Sequence, residues 1–174
     1  MPPASPEASA RQAAESRRPD VEQQHRLETR RGAEAFSIGD FETAGEHFCT
    51  ALSCARRLFI RAASGAFSSR KAARLLISAQ HNVAENFMRQ GRLEDAYTHY
   101  LSAFSTLCDW LEAQTAPASM RRACAENLSE ALGAVASFLQ RTGAKPERIS
   151  AVYARAARHS AAAPHPPLAA PAAR

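Results

Sequence analysis

Few side chains in this sequence are placed to do chemistry. In the run His81-Asn82-Val83-Ala84-Glu85 an imidazole and a carboxylate stand four residues apart, which puts them on one face of a helix. Such a pair can orient an imidazole for base work or offer two metal ligands. No nucleophile accompanies it, and one helical pair cannot close a metal site. The reading is therefore a surface pair or a contact for a partner. His47, Cys49 and Cys54 are the nearest thing to a second cluster. His47 and Cys54 share a helical face, but Cys49 points about 200° away from His47. The four cysteines, Cys49, Cys54, Cys108 and Cys124, contain no C-x-x-C and are expected to be small core residues. Phosphate-loop, dinucleotide, nucleophile-elbow and H-E-x-x-H patterns are all absent. The expectation is a chain with no catalytic residue, no metal and no cofactor.

The elements that position these residues are helical. The 174 residues include 39 alanines and only seven glycines, a mix that favours helix over sheet. Eight of the ten prolines stand at Pro2, Pro3, Pro6, Pro19, Pro164, Pro166, Pro167 and Pro171. Residues 1–19 and 164–174 therefore read as disordered tails, too poor in large apolar groups to offset ordering entropy. Residues 20–163 form the domain. No secretory h-region and no membrane-spanning run is seen, so the expected location is the cytoplasm. The net charge of +5 falls to +3 over the domain, with 18 basic and 15 acidic residues. Arginine supplies 20 of the 22 cations, a bias that fits anion recognition or simple codon usage.

Three glycines, Gly39, Gly91 and Gly143, are spaced 52 residues apart. Around the first two the same types recur at the same offsets. A small residue stands seven before (Gly32, Ala84), an alanine five after (Ala44, Ala96), an aromatic nine after (Phe48, Tyr100) and a second alanine twelve after (Ala51, Ala103). A glycine closing one helix before another begins makes each copy an antiparallel hairpin. One apolar stripe runs through Phe41, Ala44, Phe48, Ala51, Leu52, Ala55, Leu58 and Phe59. Another runs through Leu93, Ala96, Tyr97, Tyr100, Ala103, Phe104, Leu107 and Leu111. The alanines bring helices close, and the aromatic fills the gap to the next hairpin. The third copy has Pro146 in a first helical turn, then Ile149, Tyr153 and Ala156, which fit with one residue inserted. Helices are predicted near 20–38, 41–64, 69–90, 92–114, 118–141 and 146–161. Asp20 with Gln23 forms a capping-box pattern, and Asp40 suits the cap of the second helix.

These offsets, with Phe87 four residues before the second glycine, resemble the tetratricopeptide repeat family. Its repeat is about 34 residues against 52 here, so the likeness is to a long-helix variant. The resemblance implies an all-α fold: six helices in three antiparallel hairpins, stacked as a short right-handed solenoid with the first helix of each hairpin on the inner face. It also implies the residues that face the groove. They are Arg26, Thr29, Ala33, Phe36 and Ser37 in the first copy. In the second they are Ser78, His81, Glu85, Met88 and Arg89, and in the third Glu130, Gly133, Ser137, Gln140 and Arg141. One subtype that clamps a C-terminal carboxylate is not implied, since only Asn82 matches its clamp.

The function expected is a non-catalytic adaptor that binds a peptide segment or helix of another protein. Two alternatives stand beside it. One is a small secretion or assembly chaperone for an apolar client. The other is a nucleic-acid-binding regulator using Arg56, Arg57, Arg61, Arg70, Lys71 and Arg74; no recognition helix or base-stacking aromatic cluster supports it. A homodimer through the open end faces of the stack is compatible with the pattern.

Overall fold

A computed structural model describes residues 20–159; the two predicted tails lie outside these residues. Six helices follow one another: α1 (Val21–Ser37), α2 (Phe41–Ala63), α3 (Ser69–Arg89), α4 (Leu93–Glu112), α5 (Ala118–Arg141) and α6 (Pro146–Ala157). No strand occurs among the described residues. Each helix packs on the next in sequence, and α3 packs on α5 as well. The fold is all-α, three antiparallel hairpins stacked side by side.

The turns explain why the hairpins form. Gly39, Gly91 and Gly143 adopt φ of 83°, 73° and 68°, the left-handed region where a side chain costs energy and glycine does not. At the first turn Gly39 N–H donates to Phe36 C=O and Asp40 N–H to Ala35 C=O, at 3.1 and 3.0 Å. These paired bonds satisfy the last carbonyls of α1. Gly91 and Gly143 close α3 and α5 with the same two bonds, and so does Gly65 (φ 78°) at the crossing from α2 to α3. Asp40 accepts a bond from Thr43 N–H at 3.1 Å, as predicted for a cap. Asp20 occupies the cap position of α1 but makes no side-chain cap bond; its carboxylate lies 3.9 Å from Arg61 instead. The capping box is not formed.

The core runs the length of the stack. Phe48, Leu58, Phe59, Leu76, Ile77, Val83, Phe104, Leu107, Met120, Val135 and Leu139 are all buried. Ala44, Ala51, Ala84, Ala96 and Ala103 are sealed between helices, where their size lets backbones approach. Gly32 is the closest case. A methyl group there would stand 2.6 Å from two ring carbons of Phe48.

A repeated polar contact supports the 52-residue register independently of the apolar pattern. Glu28 of α1 lies 2.6 Å from His47 Nδ1 of α2. One repeat on, Gln80 of α3 lies 2.7 Å from His99 Nδ1 of α4, and its amide donates to Ser102 Oγ at 3.0 Å. The third copy has Leu132 and Ala151 at these places, so it carries no such polar clamp.

Several expectations require correction. Phe48 packs on Gly32 and Phe36 of its own hairpin, whereas Tyr100 does bridge hairpins, with its ring centroid 5.4 Å from that of Phe138. Tyr153 is exposed; Val152, nine residues after Gly143 with no insertion, holds the buried place. Leu93 opens α4 at the surface rather than in the stripe. Cys49 is exposed, while Cys54, Cys108 and Cys124 are buried thiols as expected. Burial at Cys49 would have required it to share the core face of Phe48 and Leu52, which the helical repeat denies it.

Candidate functional site

Two helices of different hairpins, α3 and α5, frame a polar cleft of about 360 Å³. His81, Asn82 and Glu85 face it from α3, Ala134, Ser137 and Arg141 from α5, and Tyr100 from α4 forms its base. His81 and Glu85 are one turn apart, as are Ser137 and Arg141, so the helical repeat alone aligns each pair. Tyr100 reaches them because it is the buried aromatic between hairpins, with its hydroxyl pointed outward.

That hydroxyl organises the cleft. It donates to Glu85 Oε2 at 3.1 Å and lies 3.8 Å from Met88 Sδ. Arg141 Nη2 meets the same sulfur at 3.8 Å. His81 stacks at an angle on the Tyr100 ring, centroids 5.4 Å apart, and its Nε2 is buried without a partner. Glu85 thus takes Tyr100 and not His81, so the expected His81–Glu85 pair is replaced by a Glu85–Tyr100 hydrogen bond between α3 and α4. Burial, with the Glu85 carboxylate adding to it and Arg141 opposing it, pushes the Tyr100 hydroxyl up to about 12. It therefore stays protonated and remains a donor.

The predicted groove residues divide into those the fold brings together and those it does not. His81, Asn82, Glu85, Met88 and Arg141 converge. Arg89 and Gln140 are exposed beside them near the helix ends, Arg89 lying over the Phe36 ring of α1, 5.7 Å from its centroid. Arg26 is tied to Glu22 at 3.6 Å, and Thr29 is half-buried on α1 with its hydroxyl unpartnered. Ser78 belongs to a separate groove with Arg70, Lys71 and Arg74. Sequence gives Tyr100 only a spacing role; its hydroxyl, at a position where the first copy has Phe48, is the signal that marks it as more. The basic strip is partly neutralised. Arg70 pairs with Glu126 at 2.9 Å, Lys71 with Glu22 at 2.7 Å, and Arg61 with Asp20.

Among the described residues no group of three His, Cys, Asp or Glu side chains is placed to hold a metal, and no helix is long and apolar enough to cross a membrane.

Three histidines give the molecule a pH dependence. Burial holds His25, His81 and His99 below the usual 6.5 of imidazole. Glu22 opposes this at His25 and Glu130 at His81. At His99 Arg56 reinforces it and Asp95 opposes it. The unfolded chain takes up these protons near 6.5 and the folded one only at lower pH. The stabilisation they supply is complete above that value and is lost as pH falls below it. The melting temperature should therefore decline between about pH 7 and about pH 5, and the His25→Gln, His81→Gln, His99→Gln triple variant should decline less. A wild-type melting temperature that is flat or rises over this range contradicts the burial of these rings.

The fold and cleft define a stacked-hairpin, all-α protein with a polar recess between neighbouring hairpins. The chain belongs to the family described as "Protein of unknown function (DUF2753)", whose model matches residues 23–164. No curated protein and no solved structure matches it.

Proposed function

We propose that this protein is a non-catalytic adaptor of tetratricopeptide-like, long-helix build, which holds a segment of a partner protein against its inner face, the face made by α1, α3 and α5. One observation carries this reading: side chains from α3, α4 and α5, from His81 to Arg141 along the chain, converge on a single cleft. Several of its donors and acceptors are fixed by one another before any ligand arrives, which lowers the ordering cost of binding. Met88 and the Tyr100 ring supply adaptable apolar contact; Asn82, Ser137, Glu85 and Arg141 supply hydrogen bonds that select among segments. The free, exposed thiol of Cys49 suits a reducing compartment such as the cytoplasm.

The test fills the recess. Full-length protein carrying Ser137→Arg or Asn82→Arg should keep its helical signal and melting temperature. It should lose the partner that wild type recovers in a pull-down, by about tenfold or more in affinity. Ser53→Arg, on the exposed side of α2, should retain it. Equal recovery with all three variants would remove the cleft from the binding surface.

A further inference from the structure

Four arginines occupy the last turn of a helix: Arg61 in α2, Arg89 in α3, Arg141 in α5 and Arg155 in α6. A helix C-terminus favours a cation at every one of these places. What differs is the counter-ion. In the second helices of hairpins, Arg61 lies 3.9 Å from Asp20 and Arg155 lies 2.7 Å from Asp109. Among the described residues, neither Arg89 nor Arg141, at the ends of first helices α3 and α5, has a carboxylate within ion-pair distance. The two occupy the same place in the repeat, 52 residues apart and two before the turn glycine.

Each also contacts the hairpin before it. Arg89 lies over Phe36, and Arg141 lies against the sulfur of Met88. Phe36 and Met88 are themselves one repeat apart, three before the turn glycine. The result is a row along one edge of the stack, Phe36, Arg89, Met88, Arg141. In it Arg89 lies over a ring and Arg141 reaches the Met88 sulfur and the Tyr100 hydroxyl, each guanidinium keeping further N–H donors. Packed neighbouring helices lie about 8–10 Å apart. An extended polyproline-type strand returns a side chain to the same face every third residue, about 9.3 Å along.

We propose that this edge binds an extended acidic segment of a partner protein, with one carboxylate on Arg89 and a second, three residues away, on Arg141. The proposal rests on the inner-face adaptor reading and gives the partner its chemistry. Guanidinium forks match carboxylates in geometry, and Met88 between them accepts an apolar side chain from the intervening residues. Glu85, whose carboxylate accepts from the Tyr100 hydroxyl that Arg141 also meets, repels a strand charged at every unit, so a peptide with two spaced carboxylates fits better than a nucleic acid.

The probe is a displayed library of random twelve-residue peptides, selected on the full-length protein. Selected sequences should carry two acidic residues three apart around an apolar one, and their affinity should fall with added salt. Arg89→Glu and Arg141→Glu should each weaken them by about tenfold or more, and Arg89→Gln and Arg141→Gln by less, with melting temperatures unchanged. Selected peptides without the acidic pair, indifferent to these variants but lost with Ser137→Arg, overturn the acidic assignment and leave the adaptor reading standing. Peptides indifferent to every variant, or no selection at all, overturn both. A single-stranded oligonucleotide that displaces selected peptides, and whose own binding Arg89→Glu and Arg141→Glu abolish, transfers the row to phosphates and overturns the proposal.

Discussion

Replacing Phe48 by alanine should lower the stability of the folded chain by about 3–5 kcal/mol, the usual loss for a buried aromatic. The ring is 5% exposed, and its edge rests on Gly32 of the facing helix. Phe36 lies 6.3 Å from it, centroid to centroid, and leans in turn on Phe41 at 5.4 Å. Alanine would leave a void between α1 and α2 that these neighbours cannot fill without moving helices. Ile60→Ala, on the same helix but 69% exposed, should change stability by no more than about 0.5 kcal/mol. Denaturant melts of the two variants separate a ring at a packed seam from a side chain at the surface. A negligible loss for Phe48→Ala would mean that the register of α2 is wrong.

The second large effect runs against helix propensity. In an open helix Gly→Ala gains about 1 kcal/mol. At Gly32 it should instead cost about 1–3 kcal/mol net, because the new methyl would meet the Phe48 ring at 2.6 Å, with the root of the ring at 3.1 Å. The clash reaches the ring atom nearest the backbone of α2, so a simple rotation of the ring does not relieve it. Coupling between the sites is the diagnostic. Gly32→Ala in a Phe48→Leu background should be neutral or stabilising, since the narrower side chain yields the space. If Gly32→Ala stabilises the wild-type chain, α1 and α2 are not as close as described.

Most of the scaffold is legible in the sequence, for a physical reason. Glycines that must take positive φ cannot hide in a helix-rich chain, and three of them at one interval mark Gly39, Gly91 and Gly143 as turns. The alanines and rings at fixed offsets then place Ala44, Phe48, Ala96 and Tyr100 in the core. The pattern breaks in the third copy. Aligning Tyr153 requires an inserted residue, yet the plain count from Gly143 arrives at Val152, which is the buried residue. Among the described residues no further helix packs beyond α6 for a ring to reach, and Tyr153 stands exposed while Val152 is buried.

The site is only half legible. His81 and Glu85 share a face by helical periodicity, while Met88 and Asn82 enter through the resemblance to the tetratricopeptide repeat. Their convergence with Arg141 and Tyr100 depends on α3 packing against both α4 and α5, which no local pattern encodes. The Glu28–His47 and Gln80–His99 clamps do leave a trace in sequence, since both members of each pair recur as polar residues after 52 positions.

Inner-face binding can be tested most directly by light-driven crosslinking in living cells. Benzoylphenylalanine placed at Asn82 or Ser137 should give an adduct with another protein. The same group at Ser53 or Thr98, exposed on α2 and α4, should give none. Adducts from Ser53 or Thr98 alone, or from all four positions alike, would contradict a partner seated between α3 and α5.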